Sequence, residues 1–161
     1  MGLFSFMKDA GEKLFGRGEA KAAESAPVDT AAVDAKAAEA ITAYIKALEL
    51  APPDLRVSFD GASQLVTVSG TAPNQATKER ILLAAGNVQG VAQVDDRMTV
   101  PVSEPEAKFH TVARGDTLSA IAKTHYGNAG KYMVIFEANK PMLGHPDKIY
   151  PGQVLRIPEQ A

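Results

Sequence analysis

The sequence predicts an α+β protein built from two small domains. Its first half shows a helical pattern, two strand patterns, a second helical pattern and a further strand pattern, in that order. This order predicts an αββαβ domain, in which helices cover one face of a three-stranded sheet. After a short linker, the pattern becomes strand, helix, helix and strand, which predicts a βααβ domain. A chain of 161 residues is long enough for two such domains.

Each element of the first domain, residues 34–100, has its own local signal. Residues 37–48 carry apolar side chains at helical spacing and are followed by two prolines, which end a helix. Apolar and polar residues alternate in 55–59 and in 66–68, with an Asp-Gly turn between them, so a hairpin is expected. Residues 73–85 return to helical spacing, and the apolar residues of 91–100 predict the last strand.

The remaining segments are assigned by composition. Apolar residues in 1–15 are spaced as in a helix, and we expect this segment to pack on the first domain. Residues 16–33 are rich in Ala, Gly and Glu and predict a flexible connection. Residues 101–107 form a linker stiffened by proline, and residues 108–159 form the second domain.

Composition excludes several classes of protein. A net charge of −2 argues against nucleic-acid binding, which needs clustered Lys and Arg. The absence of cysteine excludes disulfides and thiolate metal sites, and it fits a reducing compartment. The N-terminus lacks the order of charge and apolar residues found in signal peptides, and no stretch approaches the length of a membrane span. We therefore expect a cytoplasmic protein, monomeric by default.

The sequence does not predict an enzyme. His110, His125 and His145 are too far apart along the chain to form a local metal-ligand pair. Asp95 and Asp96 are neighbours in a predicted strand, so their side chains point to opposite faces. Nucleophile-elbow, phosphate-loop, dinucleotide and calcium-loop motifs are missing.

The second domain contains four motifs of one known family: Phe109-His-Thr-Val-Ala-Arg-Gly-Asp-Thr-Leu-Ser-Ala-Ile-Ala, Tyr126-Gly-Asn, Glu137-Ala-Asn and Asp147-Lys-Ile-Tyr-Pro-Gly-Gln-Val-Leu-Arg-Ile-Pro158. Over its whole length this domain resembles a LysM domain. The resemblance implies glycan binding between the turn after the first strand and the loop before the last. The residues at these places are Gly115, Asp116, Thr117, Leu118, Asn139, Lys140, Pro141, Ile149 and Tyr150. Structural roles in the turn, the helix cap and the core explain several of them equally well.

The first domain contains Val66-Thr-Val-Ser-Gly-Thr71, Glu79-Arg80 and Val88-Gln-Gly-Val-Ala-Gln-Val-Asp-Asp96, and these residues resemble a BON domain. The chain also begins Met-Gly-Leu-Phe-Ser-Phe-Met-Lys-Asp-Ala-Gly-Glu-Lys-Leu. Together, this start and the BON–LysM order resemble the bacterial cytosolic BON–LysM potassium-binding proteins. The resemblance implies that K⁺, a monovalent cation, is the ligand.

A potassium site leaves little trace among side chains, because this large ion is best held by neutral carbonyl oxygens. Residues 86–91 offer an irregular backbone at a helix C-terminus, where carbonyl groups lack intrahelical partners and the helix dipole is negative. The resemblance implies that backbone carbonyls are the ligands. The candidate residues are Met7, Ala10, Glu12, Gly86, Val88 and Val91.

The expected function is therefore potassium binding in the cytoplasm, with a conformational change on binding. Such a protein would sense or buffer potassium, for example in the response to osmotic stress. The alternative is an envelope module, in which LysM binds peptidoglycan and BON binds lipid or a partner. A LysM domain that binds another protein is a third hypothesis.

Overall fold

The computed structural model describes residues 2–5, 30–88 and 90–159. Its elements are, in chain order, β1 (Gly2–Ser5), α1 (Thr30–Ala47), β2 (Arg56–Asp60), β3 (Leu65–Thr71), α2 (Gln75–Gly86), β4 (Gln93–Thr99), β5 (Lys108–Thr111), α3 (Leu118–Tyr126), a 3₁₀ turn (Ala129–Lys131), α4 (Tyr132–Ala138) and β6 (Val154–Ile157). The α+β class predicted from the sequence is confirmed. No helix of the described part of the chain is long and apolar enough to cross a membrane.

The first domain has a four-stranded sheet with the order β1-β4-β3-β2. The central strands β3 and β4 run parallel, which requires the crossover through α2, and the outer strands are antiparallel to their neighbours. The three predicted strands are present, and β1 adds a fourth at the edge of β4. The helical spacing noted at the N-terminus is therefore a wrong prediction for Gly2–Ser5, since backbone pairing with β4 makes these residues a strand.

Both helices of the first domain pack on the same face of this sheet. Alternate residues of β3 and β4, such as Val66, Val68 and Val94, are fully buried, as expected for a strand with one covered face. They share one apolar core with Ile41 of α1 and Ile81 of α2. Helix α1 begins at Thr30, inside the range 16–33 for which the sequence predicted a flexible connection.

Helix α2 is the element that positions the candidate site. Asn74 is its N-cap, and the Asn74 side chain accepts a hydrogen bond of 2.7 Å from the Thr77 N–H. Proline at position 73 precedes the cap, and the helix ends at Gly86, as the sequence predicted to within two residues at each end. Its last turn is completely buried, so the loop that follows starts in the interior of the protein.

The second domain pairs β5 with β6 in an antiparallel ribbon covered by α3 and α4. Thr117 is the N-cap of α3, and its hydroxyl accepts from the Ala120 N–H at 3.1 Å. The neighbouring Asp116 carboxylate does not cap this helix, since it accepts from the Ala113 N–H instead. Gly127 ends the helix in the left-handed conformation.

Candidate functional site

The loop between α2 and β4 has the backbone irregularity that the sequence predicted. The Asn87 N–H continues the helical pattern by donating to the Leu83 carbonyl at 2.9 Å. A tight turn follows, in which the Val91 N–H donates to the Val88 carbonyl at 3.1 Å. Gly90 lies in this turn with a φ of 101°, a conformation that favours glycine. The backbone therefore reverses within a few residues of a helix C-terminus.

The predicted carbonyl ligands fall into two groups. Gly86, Val88 and Val91 belong to this loop and are buried, and the two valine side chains are 0% exposed. Their side chains pack in the core, so only their backbone groups are available for a polar ligand. Met7, Ala10 and Glu12 lie outside the described residues.

Strand β1 ends beside this loop. Ser5, its last residue, pairs with Gln93, and Phe4 pairs with Val94. Gln93 is the first residue of β4 and follows Val91 by two positions in the chain. The last residue of β1 therefore lies beside the start of β4, next to the 86–91 loop.

A buried carboxylate on α2 joins the two domains. Glu79 is only 1% exposed, and each of its oxygens has a partner. The Arg156 Nε of β6 donates to Oε1 at 2.6 Å, while the Ala107 N–H of the linker donates to Oε2 at 2.9 Å. Gln75, one turn earlier in α2, donates to Oε2 at 3.1 Å. One side chain thus ties the first domain, the linker and the second domain together.

Arg80, the next residue of α2, contacts the C-terminal end of α4. Its Nε donates to the Ala138 carbonyl at 3.2 Å, and a terminal nitrogen donates to the Glu137 carbonyl at 3.3 Å. Carbonyl groups at a helix C-terminus lack intrahelical partners and attract cations. Burial, and then the charge of Arg156, lower the pKa of Arg80, although an arginine remains charged at any physiological pH.

Asn87 connects the loop itself to the second domain. Its side-chain nitrogen donates to the Val154 carbonyl, and its side-chain oxygen accepts from the Val154 N–H, both at 2.9 Å. Asn139 makes the same pair of bonds with Arg156, at 2.9 and 2.8 Å. The outer edge of β6 is therefore covered by two carboxamides, one from each domain. Covering an edge in this way satisfies backbone groups that would otherwise be open to pairing.

Some of the residues proposed for glycan binding line a groove, and others have structural roles. Gly115 takes a φ of 89° in the turn after β5. The Asp116 carboxylate accepts from the Ala113 N–H at 2.9 Å and faces the His110 Nε2 at 3.1 Å. These two contacts, the backbone one first, hold the pKa of Asp116 below its usual value. Leu118 is buried in the core of the second domain.

On the opposite side, the predicted residues do not form a single wall. Asn139 is 2% exposed and binds the backbone of Ile135 and Arg156. The Lys140 ammonium lies 3.0 Å from the Glu137 carboxylate and 4.7 Å from the centre of the Phe136 ring. Pro141 follows a cis peptide bond. Ile149 packs against the core of the second domain, and Tyr150 is half-buried.

A groove does lie beside the start of α3. It has a volume of about 430 Å³, and its lining residues are Thr117, Leu118, Ser119, Tyr132, His145, Pro146 and Asp147. Two of the predicted glycan residues are among them. Apart from Ser119 of α3, the other lining residues come from the 3₁₀–α4 junction and from residues 145–147, none of which the sequence predicted to bind glycan.

The histidines are not arranged as a metal centre. His125 Nε2 lies 3.3 Å from His110 Nδ1, so two residues distant in sequence do meet. Burial, followed by the charges of His110 and Lys108, lowers the pKa of His125. Among the described residues, no group of three or more metal-ligating side chains is found. Asp95 and Asp96 lie on opposite faces of β4, with Arg97 and Lys78 as their respective partners.

Comparisons with known proteins agree with both resemblances. The family model of the BON domain matches residues 33–101, and that of the LysM domain matches residues 110–158. The chain is also 46% identical over 160 residues to a protein named potassium binding protein Kbp, from Escherichia coli O6:H1 strain CFT073. That similarity covers 99% of this chain and 100% of the relative.

The chain belongs to the BON–LysM family of that protein. A second relative, an uncharacterized protein of Deinococcus radiodurans, is 47% identical over 49 residues, which is 30% of this chain and 19% of the relative. In the BON–LysM chain described above, the 86–91 loop belongs to the BON domain, and the groove beside α3 belongs to the LysM domain.

Sequence reasoning missed the interface between the two domains. Glu79 and Arg80 were noted only as part of the BON resemblance, and Asn87 only as part of a loop. A Glu-Arg pair on a helix usually faces solvent, so no local signal marked these residues as part of an interface.

Proposed function

We propose that this protein binds potassium at the 86–91 loop of its BON domain and acts as a binding protein rather than an enzyme. The observation that carries this proposal is the similarity to potassium binding protein Kbp over the whole chain. The proposed ligands are the carbonyl oxygens of Gly86, Val88 and Val91, together with those of Met7, Ala10 and Glu12.

The local geometry supports this choice of loop. Buried backbone at a helix C-terminus presents carbonyl dipoles whose negative ends favour a cation. Neutral oxygens suit a large monovalent ion, whereas carboxylate cages favour divalent ions. The turn at Gly90 lets the chain reverse, so that oxygens of several residues are able to face one point.

The path of β1 makes the proposed second half of the site reachable. Ser5 pairs with Gln93 at the start of β4, close in sequence to Val91. Met7 is two residues further along, and two residues of chain span at most about 7 Å. The chain between Ser5 and Met7 is therefore short enough to keep the proposed ligand at position 7 near the loop.

In the proposed mechanism, the ion screens the repulsion between carbonyl oxygens and stabilises the compact form. Potassium shifts the equilibrium between open and compact forms only because it binds the compact form more tightly. The proposed role is to sense or buffer potassium in the cytoplasm, as a monomer, in the response to osmotic stress. Cell fractionation and growth of a deletion strain at high osmolarity test the location and the role.

The first test is thermal unfolding of the metal-free protein in KCl, NaCl and choline chloride at equal ionic strength. A ligand present at 100 times its Kd adds about 2.7 kcal/mol to the free energy of unfolding. For a chain of this length, that corresponds to a rise in Tm of roughly 5–10 °C. We expect this rise in KCl only. Identical curves in the three salts would exclude a selective site.

A substitution in the loop tests where the ion binds. Gly90→Ala forces a side chain into a positive φ and is expected to distort the loop, which reduces the Tm rise in KCl. Gly144→Ala is the matched control, because a Cβ at Gly144 meets nothing within 4 Å. A full potassium response in Gly90→Ala would argue against this loop.

Glycan binding by the LysM domain is the second candidate function. The groove beside Thr117 and Leu118 is the observation that favours it, since it contains two of the residues implied by the LysM resemblance. Tyr132 in the same groove offers an aromatic face for a sugar ring.

Sedimentation with purified peptidoglycan tests this candidate, with Tyr132→Ala in the groove and Tyr126→Ala as the control. Tyr126 does not line this groove, and its hydroxyl donates to the Pro158 carbonyl. Loss of sedimentation in Tyr132→Ala alone would support a glycan site there. No sedimentation of the wild-type protein would exclude it.

A further inference from the structure

The 86–91 loop is physically joined to the LysM domain through one side chain. Asn87 stands between Gly86 and Val88, two of the proposed ligands. Its carboxamide holds the N–H and the carbonyl of Val154 at 2.9 Å each, as a neighbouring strand would. Its own N–H is fixed to the Leu83 carbonyl at the end of α2.

We propose that Asn87 is a positioning residue that couples the proposed ion site to the docking of the LysM domain. This inference rests on the proposed function, because it concerns the loop that supplies the proposed carbonyl ligands. Asn87 is not itself assigned as a ligand. It determines where the peptide groups on either side of it point, and it does so by holding Val154.

The coupling follows from the geometry of adjacent peptide groups. The Gly86 carbonyl belongs to the peptide unit just before the Asn87 Cα, and rotation about the Asn87 backbone also reorients the unit that leads to Val88. The same rotation moves the Asn87 side chain. Two parallel hydrogen bonds to Val154 resist that movement more strongly than one bond would, since both lengthen together. Docking of β6 therefore favours one orientation of the Gly86 carbonyl, a proposed ligand, and of the Asn87 carbonyl that follows it.

Other contacts of the interface keep Val154 in place. The buried Glu79–Arg156 pair fixes β6 two residues further on, and Arg80 fixes the end of α4. Met142 of the LysM domain also packs against the BON core. These contacts hold the domains together but lie away from the loop. Among the described residues of the loop, Asn87 carries the side-chain bonds that link docking to the carbonyl groups. By thermodynamic linkage, an ion that favours the docked loop must also strengthen docking.

The test compares potassium affinities of full-length variants by titration calorimetry in KCl. Asn87→Ala removes both bonds to Val154 and is expected to weaken potassium binding by about fivefold or more, the lower end of typical coupling. Arg80→Gln is the matched control, because it removes side-chain bonds to LysM carbonyls without touching the loop. Its affinity is expected to stay within about twofold of the wild type, well below that coupling range.

A second measurement uses only the wild-type protein and remains decisive if Asn87→Ala fails to fold. Hydrogen exchange of the Val154 N–H, which donates to Asn87, is expected to slow in KCl relative to NaCl. The Gly152 N–H is the control, because it donates to the Val112 carbonyl within the LysM domain at 2.8 Å. If potassium only raised the stability of the whole protein, exchange would slow at the Gly152 N–H as much as at the Val154 N–H.

The outcomes are distinguishable. Absence of potassium binding by the wild-type protein overturns the proposed function and this inference with it. Potassium binding that is equally strong in Asn87→Ala, or equally weakened in Arg80→Gln, overturns only the coupling role of Asn87. Equal exchange of the Val154 N–H in KCl and in NaCl also overturns only the coupling role of Asn87.

Discussion

Glu79 shows how a single residue can organise two domains. A carboxylate excluded from water is costly unless its oxygens are fully bonded, and Glu79 has partners in α2, the linker and β6. Arg156, its charged partner, is itself 13% exposed at the side chain. Removing either partner leaves the other buried without compensation.

We therefore expect Glu79→Ala to lower the free energy of unfolding by about 3–5 kcal/mol, the cost of breaking a buried ion pair. Urea unfolding followed by circular dichroism measures this change. Glu137→Ala is the control, since the Glu137–Lys140 pair is roughly half exposed at both side chains and should contribute less than about 1 kcal/mol. Equal effects of the two substitutions would show that the Glu79 pair is not buried in solution.

At the scale of single elements, the caps decide where helices begin. Thr117 starts α3, and the turn before it carries Gly115 and the bonded Asp116. Another threonine, Thr124, lies inside α3, and its hydroxyl donates to the Ala120 carbonyl. Such a bond satisfies no free helix end and contributes little to the stability of the helix.

We expect Thr117→Ala to destabilise the protein by about 1 kcal/mol, because the Ala120 N–H loses its partner. The fall in Tm should be roughly 2–4 °C for a chain of this length. Thr124→Ala, a substitution of the same type in the same helix, should change Tm by less than half as much. A larger effect at Thr124 would contradict the cap assignment.

The sequence predicted those helices and strands that are determined by local patterns of residues. Alternation of valines identified β3, and helical spacing identified α2. Strand β1 was missed because its four residues have no local strand signal, and pairing with the distant β4 makes them a strand. For the candidate site, the 86–91 loop was predicted from its place at the C-terminus of a helix. Its partner Val154 was not, because a side-chain bond to remote backbone leaves no pattern in sequence.

At the scale of the whole molecule, the interface makes the two domains energetically dependent on each other. The described polar contacts across it include one buried ion pair, the two Arg80 bonds and the two Asn87 bonds. The linker takes part as well, since Ala107 bonds to Glu79. Unfolding of either domain breaks all of these contacts and exposes the interface of the other domain to water.

We accordingly expect one cooperative thermal transition for the wild-type protein, with a calorimetric enthalpy equal to the van't Hoff enthalpy. In Glu79→Ala, the interface weakens and the transition should broaden or split. Differential scanning calorimetry distinguishes these cases. Two separate transitions in the wild type would mean that the domains unfold independently.

The position of β1 also bears on the order in which the protein folds. Gly2 pairs with Asp96, so β1 finds its partner only after nearly all of the BON domain that follows it has been synthesised. Contacts between residues far apart in sequence close large loops and tend to form late. Short terminal strands at a sheet edge also open most easily in the native state. An ion bound beside this strand would be captured in the last step of folding and released in the first step of unfolding.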